Sequence, residues 1–293
     1  VSWNKGNGRL RGAPARFGAE NVLRGLAAAR TGRIVSLNAE LADSHVPFGR
    51  APFRRTMRLH NQVRPLQDGG YVVINDDEVS FALQGSSQWD SFAHFGHITP
   101  GDSGAYFGGV GLDETYPSMT TETLGIQALG PGIVCRAVLL DVVGTVGPDT
   151  GFLGGDVMID RALVEETLQR QDVSVEPGDA VLLYTGFERH RASLGGAFPA
   201  RTAGLIGDTV ELWRELDILA LASDNPAVER TPADYSVHIG VLRDMGVPMG
   251  ELWALGALAD ICREEERYDF CLASVPLAIH GAFGSTANAV AIL

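Results

Sequence analysis

Gln84-Gly-Ser-Ser-Gln88-Trp-Asp90-Ser-Phe-Ala-His94-Phe-Gly-His97 brings two glutamines, an aspartate and two histidines into fourteen residues. The apolar run before it, residues 79–83, reads as a strand. A strand that opens into a loop rich in acid–base groups holds that loop rigidly. Asp90 and His94 are four apart, so a helical turn over 89–94 would set them on one face. Each residue alone reads as part of a polar loop. The cluster reads as a site.

The stretch resembles the signature of the cyclase family, metal-dependent hydrolases that include bacterial kynurenine formamidase and isatin hydrolase. That signature is H-x-G-T-H-x-D-x-P-x-H. Its histidines fall on Gln84, Gln88 and His94, its aspartate on Asp90, and Phe92 stands at its proline. Two usual metal-binding histidines are therefore glutamines in this chain. The Q-W-D-x-x-x-H wording and Tyr106-Phe-Gly-Gly resemble a subgroup with W-D and Y-N-G. Further pieces follow in family order. They are Arg30-Thr-Gly-Arg-Ile-Val-Ser-Leu37, Gly132-Ile-Val-Cys-Arg-Ala-Val-Leu-Leu-Asp141, Gly178-Asp-Ala-Val-Leu-Leu-Tyr-Thr-Gly186, Ser223-Asp-Asn-Pro-Ala-Val-Glu229, and Gly284-Ser-Thr-Ala-Asn288. The resemblance implies an α/β fold: a single domain, 1–293, of the swivelling β/β/α type, with a barrel-like central sheet and flanking helices.

It also implies a ligand set. Asp90, His238 and Glu251 match the family's metal-binding aspartate, histidine and glutamate, and His94 matches its catalytic histidine. One imidazole and two carboxylates suit Zn or Mn with a position left for water. Taken singly, His238 among Val237, Ile239 and Val241 reads as a core histidine. Glu251, at a helix start, reads as a complement to the helix dipole. The joint match makes them a site. Two arrangements fit the glutamines. A single metal would sit on Asp90, His238 and Glu251, with Gln88 as a further oxygen ligand. Otherwise no metal binds, and Gln84 and Gln88 hydrogen-bond substrate carbonyls. Trp89, Phe95, His97, Tyr106 and His280 are expected to complete a substrate pocket, with Asp90 assisting His94 in catalysis. The function expected is hydrolysis of amide, lactam or lactone bonds in a small aromatic substrate. The alternative is a metal-free cyclase or dehydratase of a biosynthetic pathway, and a third reading is a binding protein that keeps the pocket.

Composition narrows the partners. The 293 residues carry a formal net charge of −13, which disfavours nucleic acid and anionic membranes, since both reward clustered cations. Lys5 is the only lysine and lies in a glycine-rich arm, so Schiff-base chemistry is not expected. Cys135, Cys262 and Cys271 form no C-x-x-C pair and indicate neither a disulfide framework nor a zinc ribbon. No apolar run has the length of a membrane helix. Arg9, Arg11, Arg16 and Arg24 have no apolar segment behind them, so a cytoplasmic enzyme is expected rather than a secreted one. No G-x-S-x-G elbow, H-E-x-x-H helix or phosphate-binding glycine loop is present.

Periodicity places the elements. Helices are expected over 19–30, 120–128, 160–170, 203–216, 234–245 and 252–267. Strands are expected over 33–41, 71–75, 79–83, 133–143, 180–184, 218–222, 270–279 and 289–293, with Asp76-Asp77 as a turn. Residues 1–18 read as an arm, 42–67 as an irregular excursion and 101–111 as a mobile loop beside the site. The arm and the excursion are hard to bury in one compact unit. With the resemblance, they imply a homo-oligomer, a dimer or tetramer, that acts on a small molecule.

Overall fold

The computed structural model describes residues 18–41, 47–101, 103–115 and 123–293. The 1–17 portion of the arm and residues 42–46 and 116–122 lie outside the described residues. In chain order the strands are β1 Ile34–Ser36, β2 Arg54–Pro65, β3 Tyr71–Ser80, β4 Gln88–Asp90, β5 Ile133–Asp141, β6 Met158–Ile159, β7 Ala180–Tyr184, β8 Gly204–Leu205, β9 Ala220–Ser223, β10 Met249–Glu251, β11 Asp269–Ser274, β12 Gly284–Thr286 and β13 Ala289–Ile292. The α-helices are α1 Ala19–Ala28, α2 Val142–Val146, α3 Arg161–Arg170, α4 Phe187–Ser193, α5 Thr209–Glu215 and α6 Gly256–Glu265, and a π-helical stretch spans His238–Asp244.

Nine strands form one mixed sheet, ordered β1-β13-β11-β5-β7-β9-β10-β4-β12. Its centre, β5-β7-β9-β10, is parallel, and antiparallel strands extend it on both sides. The central strands are apolar along most of their length because they are covered on both faces, so Leu139, Leu140, Leu182, Leu183, Leu221 and Ala222 are all fully buried. This is the α/β architecture with a large sheet and flanking helices expected from the sequence. On one flank α1 lies directly on β5. Gly25 permits this approach, since a Cβ there would stand 2.6 Å from the Cys135 carbonyl carbon. Asp160 caps α3 by accepting from the Leu163 N–H at 2.9 Å.

Several expectations are corrected. Residues 54–65, read as part of an irregular excursion, form the long strand β2, which pairs antiparallel with β3 as a separate ribbon. The prolines do not forbid it: Pro52 precedes the strand and Pro65 is its last residue. Asp76-Asp77 is not a turn. Both residues lie inside β3, opposite Leu59 and Met57 across a bulge. The chain reverses instead at residues 66–70, where Leu66 N–H donates to the Gly70 carbonyl at 2.8 Å and Gly69 takes φ +86°. The strand read over 79–83 ends at Ser80. The helix read over 203–216 is a short strand followed by α5. Gly204 lies so close to the chain at 229 that a Cβ would meet the Glu229 carbonyl carbon at 2.4 Å. The helix read from 252 begins at Gly256, because Leu252 takes φ +57° and the Trp253 N–H donates to the Ser223 carbonyl. Among the described residues no helix is long and apolar enough to cross a membrane.

Candidate metal centre

β4 and β10 build the floor of the site. They pair antiparallel, with Glu251 opposite Gln88 and Gly250 opposite Trp89. Side chains alternate along a strand, so Gln88 and Asp90 share one face while Trp89 turns to the other. Trp89 is fully buried there, donates from its indole N–H to Ser274 Oγ at 2.8 Å, and packs edge-on against Trp253 with ring centroids 4.9 Å apart. Trp89 is therefore core rather than the pocket wall expected of it. A three-residue strand is too short to announce its period in the sequence. The helical turn considered over 89–94 is also absent: the chain leaves β4 in a turn closed by the His94 N–H on the Ser91 carbonyl at 2.9 Å.

The same face collects the acid–base groups. One donor atom from each of Asp90, His238 and Glu251 lies within 4.8 Å of the others, and all three residues are buried. His238 Nε2 stands 3.4 Å from Glu251 Oε1, and His94 Nε2 stands 3.8 Å from Asp90 Oδ1. Gln88 donates from Nε2 to Glu251 Oε2 at 2.6 Å. That bond aims the other Glu251 oxygen at His238 and fixes which end of the Gln88 amide is the acceptor. His238 opens the π-helical stretch, a backbone form found often at functional sites. Its Nδ1 is hydrogen-bonded to Glu229, which fixes the ring and leaves Nε2 toward the cluster.

The electrostatics of this cluster call for a cation. Both Asp90 oxygens and Gln88 Oε1 are buried without a hydrogen-bond partner among the described residues. An unpartnered buried carboxylate is costly. Burial pushes the Asp90 carboxyl up to about 6, against the pull of His94 and with the Glu251 charge adding to the rise. Burial opposes a charge on His238, but the Glu229 and Glu251 carboxylates prevail and hold its imidazole up at about 10. Three carboxylates thus gather round one histidine, and three buried oxygens, two of Asp90 and one of Gln88, have no hydrogen-bond partner among the described residues. The donor set of one imidazole nitrogen and carboxylate and amide oxygens fits a divalent metal.

A cavity of ≈170 Å³ opens onto this cluster, lined in part by Arg50, His94, Phe95, His238 and Glu251. The Phe95 ring lies 4.7 Å from His238 and 5.2 Å from Tyr235. Other expected pocket residues sit elsewhere. The Gln84 carbonyl accepts from Arg50 Nη1 at 2.6 Å, and its side-chain amide rests on Gly284, where a Cβ would meet Nε2 at 2.5 Å. The His97 backbone pairs with Ala105, Tyr106 is partly buried against the core, and His280 is exposed. The described lining of this cavity includes none of these three. Sequence reasoning missed Arg50 and Phe48, which lie in the stretch read as irregular. It also missed Tyr235, read as helix, and the role of Glu229. Only Glu229 carried a signal, as an acid in the Ser223–Glu229 segment nine residues before His238.

The family model described as a putative cyclase matches residues 35–230, two thirds of the chain and ending just before His238. A solved structure described as a novel cyclase is 31% identical, with a TM-score of 0.85 over 97% of this chain and 96% of that one. Isatin hydrolase A from Ralstonia solanacearum shares the fold at 19% identity and a TM-score of 0.58, covering 88% of this chain and 91% of that one. A predicted metal-dependent hydrolase from Bacillus stearothermophilus does so at 12% and 0.54, covering 88% and 97%. No curated protein matches the chain. By the extent of the family match and the identity to the novel cyclase, the chain belongs to the cyclase family.

Proposed function

We propose that the protein is a metal-dependent hydrolase of amide, lactam or lactone bonds. Asp90, His238 and Glu251 hold a divalent cation, zinc or manganese, and the free Gln88 oxygen adds a fourth donor. The observation that carries this reading is the buried Asp90 carboxylate, bare on both oxygens and facing His238 and Glu251. Bound there, the cation would supply Lewis-acid polarisation of a carbonyl and acidify water. The remaining work falls to the chain. His94, one quarter exposed and facing Asp90, takes the proton from the attacking water and returns it to the leaving nitrogen or oxygen. Arg50, on the wall of the same cavity, sets a positive charge beside the carbonyl oxygen as it gains negative charge. Phe95 and Tyr235 give a substrate ring apolar surface next to His238.

Metal analysis on the purified protein and two variants tests the reading. Wild type should carry one divalent ion per chain and lose activity to chelators. Asp90→Asn should lose both ion and rate. His94→Ala should keep the ion and lose ~10²–10⁴ in rate, the usual worth of a positioned acid or base. A metal-free wild type whose turnover ignores chelators would sink the proposal, as would His94→Ala at full rate.

A further inference from the structure

A second, larger cavity adjoins the first. It measures ≈410 Å³ and is walled by Phe198, Pro199, Ala200, Thr231, Pro232 and Ala233. Phe48, Pro226, Ala227 and Tyr235 line both cavities and so form the neck between them. The two chambers differ in chemistry. The first holds Arg50, His94, His238 and Glu251. The second has no carboxylate, imidazole or cation on its described wall, and its Thr231 hydroxyl is already engaged with Thr202 at 2.8 Å. Its wall is more apolar than polar, and its side chains are mostly hydrocarbon and aromatic ring.

The neck residues are unusual. Phe48 and Tyr235 are 66% and 51% exposed, a large apolar surface left in water. Both take left-handed backbone, φ +60° and +64°, where bulky residues are rarely found. Such conformations gather at binding sites, where the surrounding structure imposes them. Arg50 stacks over the Phe48 ring at 5.2 Å, which ties the neck to the reactive chamber. From Tyr235 through Phe95 to His238 the rings follow one another at 5.2 and 4.7 Å. Tyr235, which lines the second chamber, has its ring centroid 6.4 Å from that of His238.

We propose that the second chamber receives an extended apolar arm of the substrate, joined next to the bond that is cleaved. The substrate class is then an alkyl- or aryl-substituted lactone, lactam or amide rather than a single small ring, with Phe48 and Tyr235 clasping the arm at the neck. The proposal rests on the hydrolase reading for the reacting end and on the paired cavities for the arm. Water released from both the arm and the exposed rings drives its docking.

A homologous series of δ-lactones, with the ring-bound alkyl group growing from none to six carbons, tests it on the zinc-loaded enzyme. kcat/KM should rise about fourfold for each methylene until the chamber is full. Calorimetric Kd values of the ring-opened 5-hydroxyalkanoates should fall in step. Ala200→Trp, on an exposed loop that tolerates bulk, should collapse the long-to-short ratio in both measurements. Ala233→Leu should do so to a lesser degree. Kd values indifferent to arm length, no product binding at all, or ratios unchanged in both variants would overturn the proposal. Arm-dependent Kd values without turnover of the lactones or of the matching δ-lactams and amides would overturn the hydrolase reading and leave the chamber standing. Turnover that ignores the arm would do the reverse.

Discussion

Glu229 illustrates what a single buried residue does for this site. It is 1% exposed, bonds His238 Nδ1, and also accepts from the His238 backbone N–H at 3.3 Å. It therefore fixes both the ring's orientation and the nitrogen that faces the cluster. Glu229→Gln keeps the shape and removes the charge. Zinc affinity, measured by competition with a chromogenic chelator, should drop ~10–100-fold, the usual cost of losing such a partner. Far-UV circular dichroism should not change. Wild-type affinity in the variant would end the positioning role. Residues of this kind explain the uneven legibility of the site. Asp90, His94, His238 and Glu251 stood out because their types and order match a motif. Glu229 acts through another residue and leaves only an acid at an unremarkable spacing. Arg50, Phe48 and Tyr235 reach the site through loop geometry that no periodicity encodes.

At the scale of elements, the long buried strands were legible and the ribbon only in part: residues 71–75 read as a strand, whereas 54–65 did not. β7 is a continuous apolar run and β5 is one apart from Arg136 and its last residue, Asp141, and burial on both faces writes that pattern directly. β2 and β3 are exposed along nearly their whole length, so no alternation marks them. Their pairing rests partly on cross-strand charge, Arg55 with Asp77 and Arg58 with Glu78. A second charge cluster joins the elements of the main sheet. Arg136 on β5 reaches Asp269 on β11 at 3.2 Å and also pairs with Asp179, which Arg24 of α1 shares. Arg267 adds a 2.9 Å contact to Asp269. Burial works against the Asp269 charge, but Arg267 and Arg136 win and hold its carboxyl below the usual range. A depressed carboxyl contributes stability above its unfolded pKa, and that stability is lost as pH falls through the folded value. Asp269→Asn should therefore cost on the order of 1 kcal/mol at neutral pH, since Arg136 keeps Asp179 and Arg267 keeps the Ala28 carbonyl as partners. The gap to wild type, read from urea midpoints, should close below about pH 4. A gap that persists into acid would assign the loss to packing instead.

For the whole molecule, the ribbon poses the question of what covers it. Two-stranded ribbons are marginal in water, and this one pairs with no strand of the main sheet. Val63 lies opposite Val73 and Pro65 opposite Tyr71, which places all four on one face. Tyr71, Val73 and Val63 are exposed by 70%, 59% and 57%. Arg54, Arg55, Arg58 and Arg64 lie on β2, although the chain as a whole carries −13. Arg55 and Arg58 are matched within the ribbon by Asp77 and Glu78, so the exposed rings carry the expectation: such a face suits the body of a second copy, where it is buried. We therefore expect a homodimer or a higher homo-oligomer, with the ribbon of one chain laid on its partner. Light scattering at micromolar concentration should give at least twice the chain mass of 31.2 kDa. The double variant Val73→Asp with Tyr71→Asp lies outside the catalytic cavity and should shift the mass toward monomer while leaving the circular dichroism of the main sheet intact. A wild-type monomer would refute the expectation outright, and an unchanged oligomer in the variant would move the interface away from the ribbon.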